Sequence, residues 1–140
     1  MLAHLAYVST RKSTCTDAEI EKILGSCKTN NPPLGITGVL LFSQNQFIQY
    51  VEGESKLLMQ LYDKIKKDDR HDRVVMVSYS PINEKIFPSW HMGSKKIASN
   101  EVDYLTDIDS SDKAVFTKII GEQEVDGPKV QSLLLKFFKK

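Results

Sequence analysis

Apolar positions along the chain fall into short runs with two alternating spacings. Leu2 to Ser9 is a compact strand-like run, followed by the polar stretch Thr10 to Thr14. Thr16 with Glu19 three residues later has the form of a capping box, which marks a helix start. Ile20, Ile23, Leu24 and Cys27 then recur at i, i+3, i+4 and i+7, one buried helical stripe. The helix is expected to stop at Asn30-Asn31-Pro32-Pro33. Proline disfavours helical geometry in the residue before it, so Asn31 is expected extended or in a turn. Two further runs, Gly38 to Ser43 and Gln46 to Glu52, flank the polar hairpin connection Ser43-Gln44-Asn45-Gln46. Gly53 breaks the second run, and Ser55 is expected to cap a second helix. That helix carries Leu57, Leu58, Leu61, Tyr62 and Ile65 and stops near Asp68-Asp69-Arg70-His71. Val74 to Tyr79 reads as a fourth strand and Ile86 to Met92 as a short fifth.

The order strand, helix, strand, strand, helix, strand is the split pattern of an α+β, ferredoxin-like βαββαβ fold. Right-handed crossovers put both helices on one face of a mixed sheet, with the fifth strand added. The tail from about Ile97 differs: Ser111 to Gly121 and Pro128 to Phe138 read as two short C-terminal helices. Gly127-Pro128 suits the start of the second, since proline is tolerated in a first turn. The expected division is therefore a domain over 1–97 and a helical extension over 98–140.

Composition narrows the class. The chain has 140 residues, 41% hydrophobic and 26% charged, enough to bury a core, so disorder is not a serious reading. Net charge is +1, with basic and acidic residues intermixed, which argues against nucleic acid as a partner. No apolar run approaches the roughly 20 residues of a membrane span, and Met1-Leu2-Ala3-His4 lacks signal-peptide features. Cys15 and Cys27 make neither a metal spacing nor a disulfide framework, which points to a cytoplasmic protein without a bound metal. Cys27 is expected to be a buried reduced thiol.

A few polar residues do not fit a plain core. Phe47, Gln49 and Val51 share the strand face that should meet the helices, so a primary amide is buried among apolar groups. That costs a few kcal/mol unless both ends of the amide find partners. Leu5, Tyr7 and Ser9 share a face of the first strand, so the Tyr7 hydroxyl is a candidate partner. From spacing alone a Tyr–Gln bond that only satisfies the core, and turn chemistry at Asn30-Asn31, are the favoured readings of these residues. A planar heterocycle with alternating donors and acceptors would also suit such amides. The residues alone do not identify such a ligand.

The ordered set of motifs resembles the BLUF domains, blue-light sensors using flavin, over about Leu2 to Ile97. The pieces are Asn30-Asn31-Pro32 leading into Gly35-Ile36-Thr37-Gly38-Val39-Leu40, then Phe47-Ile48-Gln49-Tyr50-Val51-Glu52-Gly53. Asp69-Arg70-His71 and Phe87-Pro88-Ser89-Trp90-His91-Met92-Gly93 complete it. The resemblance implies a non-covalent flavin between the two helices, FAD with FMN as the alternative. It implies Tyr7 as electron and proton donor and Gln49 as the photoactive bridge between Tyr7 and the flavin. Asn30 and Asn31 match the amide segment at the ring, Arg70 and His71 a segment near its other polar edge, and Ile23 and Phe47 apolar wall positions. Ser9, Trp90 and Met92 match signalling positions. His91, where the family commonly has a small residue, is a departure.

The function so implied is a blue-light photoreceptor, not an enzyme, that signals by a hydrogen-bond rearrangement of Gln49. The tail is too short for a cyclase or phosphodiesterase domain, so the resemblance is to short members whose C-terminal helices cap the sheet. Output is then expected through a separate effector protein, with the chain in a homo-oligomer. Two other classes stand beside this reading. One is an acylphosphatase-like hydrolase, for which Arg11 after the first strand would be the anion site, though no glycine-rich cradle surrounds it. The other is a cofactor-free adaptor domain.

Overall fold

The computed structural model describes residues 1–12, 14–44, 46–68, 71–87, 93–96, 114–115, 117–119 and 121–138. Five strands, β1 (Leu2–Arg11), β2 (Thr37–Phe42), β3 (Gln46–Glu54), β4 (His71–Pro81) and β5 (Gly93–Lys96), form one sheet in the order β4-β1-β3-β2-β5. The first four are antiparallel to their neighbours, and β5 runs parallel to β2. Helices α1 (Asp17–Leu34) and α2 (Ser55–Lys67) connect β1 to β2 and β3 to β4. This is the expected ferredoxin-like α+β arrangement with one strand added at the β2 edge.

Both faces of the sheet are covered. On one, Leu5, Tyr7, Phe47 and Val51 pack with Ile20 and Leu24 of α1 and Leu58 and Tyr62 of α2. On the other, Ala6, Val8, Ile48 and Tyr50 pack with Val130, Leu133 and Leu134 of a third helix, α3 (Gly127–Phe138). Val115 and Ile119, in a short helical stretch before α3, join that second core. Strand alternation assigns successive residues to opposite cores, so Gln49 and Tyr50 look into different halves of the molecule.

Three local expectations are corrected. Asn31 is neither extended nor in a turn: α1 continues through Pro32 and Pro33 to Leu34. The carbonyls that lose donors to the two prolines belong to Lys28 and Thr29, which are exposed and open to water. Beyond them the helix closes as a Schellman motif. Ile36 N donates to Asn31 O at 3.1 Å and Gly35 N to Pro32 O at 3.0 Å, with Gly35 left-handed at φ 69°. The local bias at Asn31 is outweighed by those bonds and by burial of Asn31 and Ile36. Second, Ser55 is the first helical residue of α2, not its cap; Glu54 holds the cap position without a side-chain bond. Third, Ile86 and Phe87 lie in a bend, and the fifth strand is Gly93–Lys96. Residues 88–92 of the expected strand lie outside the described residues. By contrast Thr16 caps α1 as read from sequence, its Oγ1 accepting from Glu19 N at 3.3 Å.

Candidate functional site

The two central strands bring the awkward polar pair together. Tyr7 of β1 lies directly opposite Gln49 of β3 in the antiparallel register. Directly opposed side chains on one face stand about 5 Å apart at Cβ, close enough for a phenol and an amide to meet. The Tyr7 hydroxyl donates to Gln49 Oε1 at 2.5 Å, and both residues are buried. Burial, then the neighbouring Cys27 thiol, Asp68 carboxyl and Tyr62 hydroxyl, push the Tyr7 pKa well above the ordinary phenol value of 10.0. The side chain is therefore a neutral proton donor at any physiological pH.

This pair floors a cavity of about 210 Å³ between α1 and α2. Ile23, Ser26 and Cys27 of α1 form one wall, and Leu61, Lys64 and Ile65 of α2 form the other, with Asp68 and His71 completing the lining. His71 is the first residue of β4 and reaches the site because it pairs with Arg11 of β1. Its Nδ1 is hydrogen-bonded with Ser9 Oγ at 2.8 Å, and its ring sits 4.8 Å from that of Phe47.

Of the residues singled out in the sequence, Tyr7, Ile23, Gln49 and His71 line this cavity. Ser9 and Phe47 are fully buried beside His71 rather than on the wall. Asn31 is buried in the last turn of α1 and Asn30 is exposed there; neither lines the cavity. Arg70, Trp90 and Met92 lie outside the described residues. Sequence reasoning missed Ser26, Leu61, Lys64, Ile65 and Asp68 as cavity residues. It also read Cys27 as core, whereas the thiol is only half-buried, on the cavity wall. The signal was present: Ile23, Ser26 and Cys27, and Leu61, Lys64, Ile65 and Asp68, repeat at i, i+3, i+4 and i+7 spacing. Ile23, Cys27, Leu61 and Ile65 form the partly buried edge of the two apolar stripes, beside the buried Ile20, Leu24, Leu58 and Tyr62.

Arg11, the residue on which a hydrolase reading would rest, is tied into the fold by three hydrogen bonds. Its Nε donates to Cys15 O at 2.8 Å, one terminal nitrogen to Ser43 O at 2.8 Å and the other to Asp17 Oδ1 at 2.9 Å. Three of its five N–H donors are so committed, one of them to a carboxylate, and the side chain is only 8% exposed, which leaves it poorly placed to receive an anion. Among the described residues no helix is long and apolar enough to cross a membrane.

Comparison with known proteins points the same way. The chain is 34% identical over 94 residues to the photoactivated adenylate cyclase subunit beta of Euglena longa, and 31% identical over 94 residues to that of Euglena gracilis. Each match covers 66% of this chain and 11% of the relative, so the chain spans about a tenth of those proteins. Among solved structures, a bacterial light-regulated adenylyl cyclase aligns at TM-score 0.62 with 36% identity, covering 67% of this chain and 27% of that one. BlrB, a BLUF protein in its dark state, shares the fold at TM-score 0.72 and 24% identity, over 95% of this chain and 96% of its own. A family model described as BLUF, sensors of blue-light using FAD, matches residues 2–93. The chain belongs to the BLUF family of blue-light sensors that use flavin.

Proposed function

We propose that this chain holds FAD at the α1–α2 cavity and reports blue light through the Tyr7–Gln49 pair. The observation that carries the reading is the 2.5 Å bond between Tyr7 and Gln49 at the floor of that cavity. The residues present suit a flavin: apolar side chains from two helices enclose a slot, and a phenol and an amide offer donors and an acceptor at its base. Pockets that enclose a whole ligand run from about 300 Å³ upward, so a void of 210 Å³ fits part of the cofactor, with the remainder outside.

A flavin held at this cavity would, on absorbing blue light, supply an oxidant strong enough to take an electron from a nearby phenol. Tyr7 is the residue placed to give it. Loss of an electron makes a phenol strongly acidic, and Gln49 Oε1 already accepts its proton, so no rearrangement precedes the transfer. Return of the electron and a proton would restore the Tyr7 phenol. Gln49 is then left either rotated about its amide, which exchanges no atoms, or tautomerised, with one proton moved from Nε2 to Oε1. Either change exchanges a donor for an acceptor at the cavity floor, because the two ends of an amide differ. That altered pattern is the signal, and no product is released.

His71, held by Ser9 and backed by Phe47, orients the polar end of the slot. Asn30, Asn31 and Arg70 are proposed contacts to flavin on the strength of the family resemblance, as are Ser9, Trp90 and Met92 as signalling residues. The chain is proposed to act in the cytoplasm as a homo-oligomer, with the 98–140 extension linking the flavin domain to a separate effector protein.

The colour of the purified protein tests the reading. It should be yellow, its flavin absorption should shift to the red under blue light, and the shift should reverse in the dark. A colourless preparation that takes up neither FAD nor FMN would overturn it, and would favour the adaptor reading.

A further inference from the structure

The face of the sheet opposite the cavity carries a second buried polar network. Tyr50 and Glu52 follow Gln49 along β3 and point into the α3-side core, where each is 0% exposed. Glu52 is a carboxylate with every approach taken by a donor. Ile86 N lies 3.1 Å from Oε1 and 2.9 Å from Oε2, Phe87 N donates to Oε1 at 2.9 Å, and the Tyr50 hydroxyl donates to Oε2 at 3.0 Å. The Tyr50 oxygen in turn accepts from Gln131 Nε2 of α3 at 2.9 Å. One side-chain cluster on β3 therefore holds two separate pieces of chain, the 86–87 bend that precedes β5 and the helix α3.

The network stands on the strand that bears the switch. Gln49 pairs with Tyr7, Tyr50 with Ala6 and Glu52 with His4 in one continuous β1–β3 register. His4 stacks on Tyr50 with ring centroids 5.5 Å apart and planes 17° from parallel, fixing the phenol from the β1 side. A change in how Gln49 is held against Tyr7 bears on the same register that fixes Tyr50 and Glu52. Hydrogen bonds to a buried charged group are strong and directional, so small displacements alter them sharply.

We propose that Glu52 is a positioning residue for the light response: it passes a change at Gln49 to the 86–87 bend directly and to α3 through Tyr50 and Gln131. This rests on the light-sensing reading above. Two substitutions separate its arms. Glu52→Gln replaces the carboxylate with an amide whose NH2 end cannot accept, so it cannot hold all three donors. Tyr50→Phe keeps Glu52 and its backbone bonds but removes the hydroxyl shared with Gln131.

Amide hydrogen exchange of the full chain with bound FAD, in darkness and under continuous blue light, reads the coupling. In the wild-type protein, light should change exchange at the Ile86 and Phe87 amides and in α3 by roughly tenfold or more. Glu52→Gln should abolish the light-minus-dark difference at both places, and Tyr50→Phe should abolish it in α3 alone. Both variants should keep the flavin and its red shift. A wild-type protein that shifts its absorption but shows no exchange difference at either place overturns the proposal and spares the sensor reading. So does a Tyr50→Phe protein whose α3 still responds, which decides the matter even if Glu52→Gln does not fold. A wild-type protein with bound flavin and no red shift removes the sensor reading, and the proposal with it.

Discussion

Tyr7 and Gln49 meet because two strands place them at one register position on the helix-facing side of the sheet. A phenol alone could be satisfied by many acceptors; a phenol bonded to an amide at the base of a slot is poised for proton transfer. Tyr7→Phe and Gln49→Leu should therefore leave flavin bound and abolish the red shift, as absorption spectra before and after blue light will show. A normal photocycle in Gln49→Leu would count against the mechanism. His4 supports a prediction of another kind. Burial lowers its pKa from 6.5, an effect partly offset by its bond with Ser80. The neutral ring is thus favoured in the folded protein, while the unfolded chain takes up a proton near pH 6.5. Stability from this site is complete above that value and falls as the pH drops towards the lowered pKa. Urea midpoints measured between about pH 7.5 and pH 5.5 should decline, and His4→Gln should flatten the decline. At this scale the sequence made Tyr7 and Gln49 visible as misfits. It could not reveal the Glu52 carboxylate as a hub, because two of its three donors are backbone groups 34 and 35 residues away.

Elements were readable where a single periodicity governed them and obscured where tertiary bonds decided. The apolar stripes of α1 and α2 and the alternation of β3 follow directly from spacing. The extension of α1 through Pro32-Pro33 does not, because it depends on the Gly35 cap and on burial of Asn31 and Ile36. At φ 69° a side chain at position 35 is strained, so Gly35→Ala should destabilise the fold by about 1–2 kcal/mol, read as a lower urea midpoint. Gly38 is needed for a different reason: a Cβ there would collide with the backbone carbonyl of Tyr50 across the β2–β3 ladder. The fifth strand was misplaced because Gly93–Lys96, with two lysines and no apolar residue, carries no hydrophobic pattern. Charged, short edge strands are common because they discourage pairing with other chains. The apolar Ile86-Phe87 pair drew the expectation instead, although its backbone N–H groups are held by a carboxylate rather than by a neighbouring strand.

At the scale of the whole molecule the sheet separates two cores, one bearing the α1–α2 cavity and the other covered by α3. The near-continuous burial of β1 along its length shows that neither face is left to water. Val130, Leu133 and Leu134 are all within 1% of complete burial against Ala6, Val8, Ile48 and Tyr50. Burying such a side chain contributes about 1.5–3 kcal/mol, so three of them are comparable to the 5–15 kcal/mol stability of a typical domain. Helix α3 is thus part of what keeps the sheet folded. Leu133→Ala should cost about 2–5 kcal/mol through lost burial and the cavity left behind. The red shift should survive at low temperature, since the cavity lies on the other face. Removing residues 127–140 altogether should expose the apolar back face and drive self-association, visible by light scattering. A truncated chain that stayed dispersed, with wild-type stability, would mean that α3 contributes nothing to the second core.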